Sequence, residues 1–220
     1  MCRLLLLQHS VGVDPIPHLD AFKAVSENSK EYQGHGWGCT WLDQSGQWQF
    51  HHNIDPIWED QKNDFPSTRV FLAHARSAFR DEGIFVENNM PFTDGENVFL
   101  FNGELRGVKI KAEGRIGAEK IFNYIKRFDK GDLASATRKG VDIIVKRTRY
   151  VRAMNFFLAS KQAIEVCSEF GEDPDYFQLQ TTDHRGTKII CSQTYDLDGE
   201  LSSHWSAIPN HSITTLNLTA

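Results

Sequence analysis

An α+β fold is predicted by three observations. Short apolar strands bounded by turn residues occur both early and late in the chain. Two amphipathic helical stretches follow one another, at 117–127 and 133–146. The two kinds of element come in blocks, without the strand–helix alternation of a βαβ repeat.

Cys2 to Leu7 reads as a buried strand, short and apolar. A helix follows from Pro15 to Lys30: Asp14 caps it, Pro15 suits its first position, and Ile16, Leu19, Phe22 and Val25 share one face. Gly34 to Trp41 begins a strand with glycines at alternate positions, which bares one face to close approach. Asp43 to Gly46 is a turn and Gln47 to His51 the return strand. Arg69 to Ala75 is a further apolar strand, and Val98 to Phe101 another, ended by Asn102-Gly103. In the first of the two paired helices Ile121, Tyr124, Ile125 and Phe128 share a face; the second runs from Leu133 to Lys146. Strands are expected at 155–159, 163–170, 176–182 and 188–192, with His184-Arg185-Gly186 as the turn before the last. No repeat and no linker interrupts the 220 residues, so 1–220 reads as a single domain.

Composition excludes several classes. A formal net charge of -5 offers no global pull toward nucleic acid or an anionic membrane. No apolar run approaches the roughly 20 residues that span a bilayer. Leu4 to Leu7 is too short for a secretory signal core, so a cytoplasmic location is expected. There Cys2, Cys39, Cys167 and Cys191 are thiols; none is spaced as a metal ligand, and the last three read as small buried hydrophobes.

Three groups carry candidate chemistry. Cys2 follows the initiator Met, whose removal a small second residue permits. One residue then holds a thiol and an α-amine of pKa roughly 7.7–8.0, nucleophile and base together. Arg76, just past an apolar strand in Ala73-His74-Ala75-Arg76, suits a planar two-bond grip on a carboxylate. Asn102-Gly103 sets a side-chain amide beside a backbone N–H, the donor pair of an oxyanion hole. Singly, each has an ordinary reading: a cysteine near a chain start, a surface arginine, a hairpin turn.

Taken together they resemble the glutaminase domain of class II glutamine amidotransferases, within the N-terminal-nucleophile hydrolase superfamily. The likeness rests on Cys2 beside Met1, Gly36-Trp37-Gly38, Ala73-His74-Ala75-Arg76, Asn89 with Pro91-Phe92, and Phe101-Asn102-Gly103. Glu119 and Phe122 match an acidic-aromatic helix start, and 155–158, 191–193 and 205–209 resemble the closing strands of short, stand-alone members. The resemblance implies a four-layer αββα sandwich, two mostly antiparallel sheets between helical layers. It implies that Cys2 attacks the side-chain amide of glutamine or a γ-glutamyl compound. Asn102 and Gly103 then hold the oxyanion, and Arg76 binds the α-carboxylate. The γ-glutamyl thioester is released by water. No cofactor and no metal are implied. Stand-alone relatives include γ-glutamyl peptide hydrolases. Ammonia from a chain this short is lost unless a partner protein accepts it.

Two positions depart from the family pattern, both in the substrate pocket. Gly117 stands where an aspartate binds the substrate α-amine, and Phe79 where a small hydroxyl residue is usual. A different γ-glutamyl substrate, or a charge from Glu119 or Glu113, would reconcile them. His74 would either hydrogen-bond within the site or serve structurally. Trp37 and Trp41 are expected in the core or a pocket wall.

Two other classes compete: a catalytically degenerate binding or regulatory subunit, and a metal hydrolase built on His35, His51, His52 and His74. As strand neighbours His51 and His52 point to opposite faces, which makes them a poor chelating pair.

Overall fold

The computed structural model describes residues 1–78, 80, 82–197, 199–201 and 204–218. Elements are numbered in chain order. The chain divides into two compact units, Met1–Pro91 with Gln178–Ile208 and Phe92–Phe177 with Pro209–Ala220. Each holds one antiparallel sheet, and the fold class is α+β.

The first unit contains β1 (Arg3–Val13), α1 (Ile16–Glu27), β2 (Trp37–Leu42), β3 (Trp48–Asn53), β4 (Thr68–Ala75), β9 (Gln180–His184), β10 (Thr187–Cys191) and β11 (Ser206–Ala207). Its seven strands run in the order β11-β9-β10-β1-β4-β2-β3. In register, Leu5 lies opposite both Ala73 and Cys191, and Ala73 opposite Cys39. These residues, with Leu7, Phe71, Trp37 and Ile189, form one apolar face that packs with Leu19 and Phe22 of α1. The alternate residues Leu4, Leu6, Leu72 and His74 are fully buried as well. Trp37 lies in this core and Trp41 packs partly buried against it, as expected.

Local chemistry explains the boundaries. β1 outlasts the apolar run because pairing resumes at Val13; between, the His9 ring accepts from Val11 N–H and Gly12 N–H at 3.1 and 2.9 Å. α1 begins at Ile16, one residue later than expected, and Pro15 takes the N-cap position expected of Asp14; Asp14 accepts from Ile16 N–H at 3.0 Å just ahead of the helix. That helix stops at Glu27, short of Lys30, where the Asn28 amide and backbone N–H both turn onto the Ala24 carbonyl. β2 starts at Trp37, later than expected, because Gly36 takes φ +95°, which ends the extended run. The β9–β10 hairpin has left-handed Arg185 and Gly186 (φ 47° and 80°), the pair a type I′ turn requires.

The second unit contains β5 (Phe92–Thr93), β6 (Val98–Val108), α2 (Gly117–Lys126), α3 (Leu133–Lys146), β7 (Thr148–Ala159), β8 (Ala163–Ser168), α4 (Pro174–Phe177) and β12 (Ser212–Asn217). Its five strands run β12-β8-β7-β6-β5. Asp132 caps α3, its side chain accepting from Ser135 N–H at 3.0 Å.

Two expectations are corrected here, and one strand was not expected. Asn102-Gly103 does not end a strand: β6 runs through it to Val108, with Asn102 opposite Asn155 and Gly103 opposite Met154. The glycine serves close approach, since a Cβ there would lie 2.0 Å from the Ala153 carbonyl oxygen. The expected strand at 176–182 is a helical turn, α4, followed by β9; Pro174 opens the turn. β12 had no counterpart in the sequence reading, because its residues alternate weakly and are half exposed. No helix among the described residues is long and apolar enough to cross a membrane.

Candidate active site

The register of β1 on β4 places the first candidates. Arg3 pairs with Ala75, so one step further Cys2 lies beside Arg76, on the face that also carries Leu4 and His74. Their charge interaction follows from that adjacency. Cys2 is 8% exposed, and its thiol donates to the Ser77 carbonyl at 3.7 Å. Burial pushes this thiol above its ordinary value, while the positive N-terminus and Arg76 pull it back down and Glu31 pushes it up. The preceding residue is tied down: the Met1 ammonium pairs with Glu31, and its carbonyl accepts from Gln33 Nε2 at 2.6 Å.

Arg76 is 5% exposed and sits in a cradle of neutral acceptors. Its Nη1 donates to Asn89 Oδ1 at 3.2 Å and its Nη2 to the Gly83 carbonyl at 2.8 Å. Among the described residues it makes no ion pair; burial lowers its pKa. Asn89 is itself fixed by donating to the Asn53 carbonyl at 2.7 Å. Its amide fills the space where a Gly36 Cβ would stand, 2.1 Å from Nδ2. Gly36 also accepts from Arg76 N–H at 2.9 Å, and His35 N–H donates to the Arg76 carbonyl at 3.1 Å. The strand exit carrying Arg76 is thus clamped by the segment before β2. His74 is fully buried on β4, opposite Leu4 and Gly38. Phe79 lies outside the described residues.

In the second unit the oxyanion candidates sit mid-strand. Asn102 is 0% exposed, and among the described residues neither its Oδ1 nor its Nδ2 has a hydrogen-bond partner. The asparagine directly across, Asn155, is also fully buried but satisfied: Nδ2 donates to the Phe177 carbonyl at 2.6 Å and Oδ1 accepts from Glu169 N–H at 3.0 Å. Buried amides of native proteins are normally paired.

Gly117 opens α2 with nothing within 4 Å of a Cβ built on it. No packing demands a glycine there. Glu119 is held locally, with Arg115 Nη2 at 2.7 Å and Arg115 N–H at 2.5 Å, and that pairing lowers its pKa. Glu113 offers its backbone carbonyl to Asn123 at 3.0 Å.

Three of the four histidines of the metal reading, His51, His52 and His35, are occupied by separate partners. His51 Nε2 meets Asp60 Oδ2 at 2.7 Å, His52 Nε2 meets the Pro91 carbonyl at 3.1 Å, and His35 Nδ1 accepts from Ala78 N–H at 2.9 Å. Among the described residues no group of three His, Cys, Asp or Glu side chains is arranged to hold a metal ion. Sequence reasoning missed Gln33, Glu31 and a role for His35, and no local signal marks them.

No family model and no curated protein matches the sequence. Solved structures do match. Glutamine phosphoribosylpyrophosphate amidotransferase from B. subtilis superposes with a TM-score of 0.68 at 13% identity, over 99% of this chain and 49% of that one. A glutamine aminotransferase class-II domain protein from Silicibacter pomeroyi gives 0.65 at 13% identity, over 97% and 94%. A "predicted glutamine amidotransferase" from Pseudomonas aeruginosa gives 0.61 at 12%, over 100% of both chains. The chain spans about half the length of the phosphoribosylpyrophosphate enzyme and nearly all of the two shorter proteins. Its fold is that of the class II glutamine amidotransferase domains.

Proposed function

We propose that the chain is an N-terminal cysteine amidohydrolase. It opens the side-chain amide of glutamine or of a γ-glutamyl compound through a Cys2 thioester. The observation that carries this reading is the placement of Cys2 beside the buried Arg76, which makes no ion pair among the described residues. With Met1 removed, the Cys2 α-amine takes the thiol proton and the sulfur attacks the amide carbon. Arg76 holds the substrate α-carboxylate through its planar fork. The Asn102 amide and Gly103 N–H receive the oxyanion. The C–N bond breaks as the nitrogen accepts the proton; ammonia or an amine departs. Water then adds to the thioester, and its collapse returns the thiol and releases the γ-carboxylate. The fold shared with two short glutamine amidotransferase-type proteins supports the amidohydrolase reading, with ammonia passed to a partner protein as the variant.

Intact mass tests the reading. Protein from its native source is expected to lack Met1 and to gain one adduct from a diazoketone analogue of glutamine. The Cys2→Ala protein gains none. Retained Met1, or labelling that persists in that control, sinks it. A degenerate binding subunit would bind glutamine-like ligands without labelling.

The start of α2 bears on substrate choice. Glu119 is engaged by Arg115, so its carboxylate is already paired at this helix start. We therefore expect weak use of free glutamine. Gly117→Asp adds a helix-start carboxylate in open space, which should stabilise the protein by about 1 kcal/mol, or about 2–4 °C in Tm. The same change should lower KM for glutamine by roughly tenfold, the size of one well-placed ion pair. A raised Tm with unchanged KM would show that the substrate ammonium does not come to this helix.

A further inference from the structure

The Ser77–Ala78 peptide connects a histidine to the proposed nucleophile. Its carbonyl accepts from the Cys2 thiol at 3.7 Å, and its N–H donates to His35 Nδ1 at 2.9 Å. These are two ends of one trans peptide group, whose C=O and N–H point in opposite directions. Anchoring one end therefore aims the other. His35 grips the same strand exit a second time, donating its backbone N–H to the Arg76 carbonyl at 3.1 Å. The ring is 9% exposed and flanked edge-on by Tyr32, with centroids 5.0 Å apart and planes at 78°. To accept at Nδ1 it must be neutral with its proton on Nε2.

We propose that His35 is a positioning residue for Cys2. Acting through the Ser77–Ala78 peptide, it holds the carbonyl that fixes the sulfur beside Arg76. The proposal rests on Cys2 being the nucleophile, but sulfur reactivity can be read apart from turnover. The decisive feature is where the acceptor sits. Asparagine carries its oxygen the same number of bonds from the backbone as Nδ1, and glutamine carries its oxygen as far as Nε2. An effect through the peptide needs the first position; a merely structural role is served by the bulkier residue.

The test compares His35→Asn with His35→Gln for thermal stability, for the rate at which iodoacetamide alkylates Cys2 (followed by intact mass), and for kcat and KM on glutamine and a γ-glutamyl anilide. In His35→Gln, kcat is expected to fall about tenfold, the effect of one lost hydrogen bond, with KM within about twofold because Arg76 keeps its cradle. The alkylation rate should depart from the wild-type value. His35→Asn should restore both. Equal behaviour of the two variants, or better function of His35→Gln, would overturn the proposal. If no form turns over either substrate, the amidohydrolase reading fails, and the alkylation rates alone still decide the role of His35.

Discussion

Replacing Cys2 by alanine should leave a folded protein whose release of glutamate from γ-glutamyl substrates has fallen by roughly 10⁴-fold or more, the scale seen when a covalent nucleophile is removed. The fold should tolerate the change. The sulfur makes one long hydrogen bond, to the Ser77 carbonyl at 3.7 Å, and the residue precedes β1 without entering its ladder. Loss of that contact and a small volume costs about 1 kcal/mol. Arg76 keeps its partners, Asn89 and Gly83, so ligands with an α-carboxylate should still bind. Calorimetric titration with glutamate and a coupled glutamate assay separate the two effects. Near-normal turnover in Cys2→Ala would remove the thioester from the mechanism.

Asn102→Leu should do two opposite things: lower kcat by about 10²–10³-fold and leave Tm unchanged or higher. The first follows from deleting an oxyanion donor. The second follows from burial. Asn102 is 0% exposed, with both amide atoms unpartnered among the described residues, and such a group costs about 1–3 kcal/mol that an apolar side chain of similar shape does not. The matched control is Asn155→Leu, directly across the β6–β7 ladder. Its amide serves the Phe177 carbonyl and Glu169 N–H, so its loss should destabilise by about 2–4 kcal/mol. Thermal unfolding of the two variants checks the pair. A large loss of stability in Asn102→Leu would mean that the amide serves the fold and not a ligand.

Much of this was legible along the chain. The α3 boundaries, Leu133 to Lys146, match the expected range, because an apolar face at helical spacing and the Asp132 cap are local signals. β4 and β10 stood out as apolar runs for the same reason. Cys2, Arg76 and Asn102-Gly103 each had an ordinary reading by itself, and the family resemblance singled them out together. The failures also share a cause. Asn-Gly reads as a turn because its local preference is a turn. It lies in a strand because β7, some fifty positions later, brings the Ala153 carbonyl against a residue with no side chain. β12 was missed because its pairing with β8 supplies what its own sequence does not.

The sequence by itself determined the α+β class, the helix pair and the candidate nucleophile, since these depend on periodicity and on the chemistry of single residues. Only the tertiary structure decided that Cys2 stands next to Arg76, that among the described residues the Asn102 amide has no partner while that of Asn155 does, and that His35 lies behind the Ser77–Ala78 peptide. The physical reason is register. Strand pairing joins residues far apart in the chain through backbone groups that are alike at every position. Which side chains become neighbours is therefore set by the whole sheet and is written in no single segment.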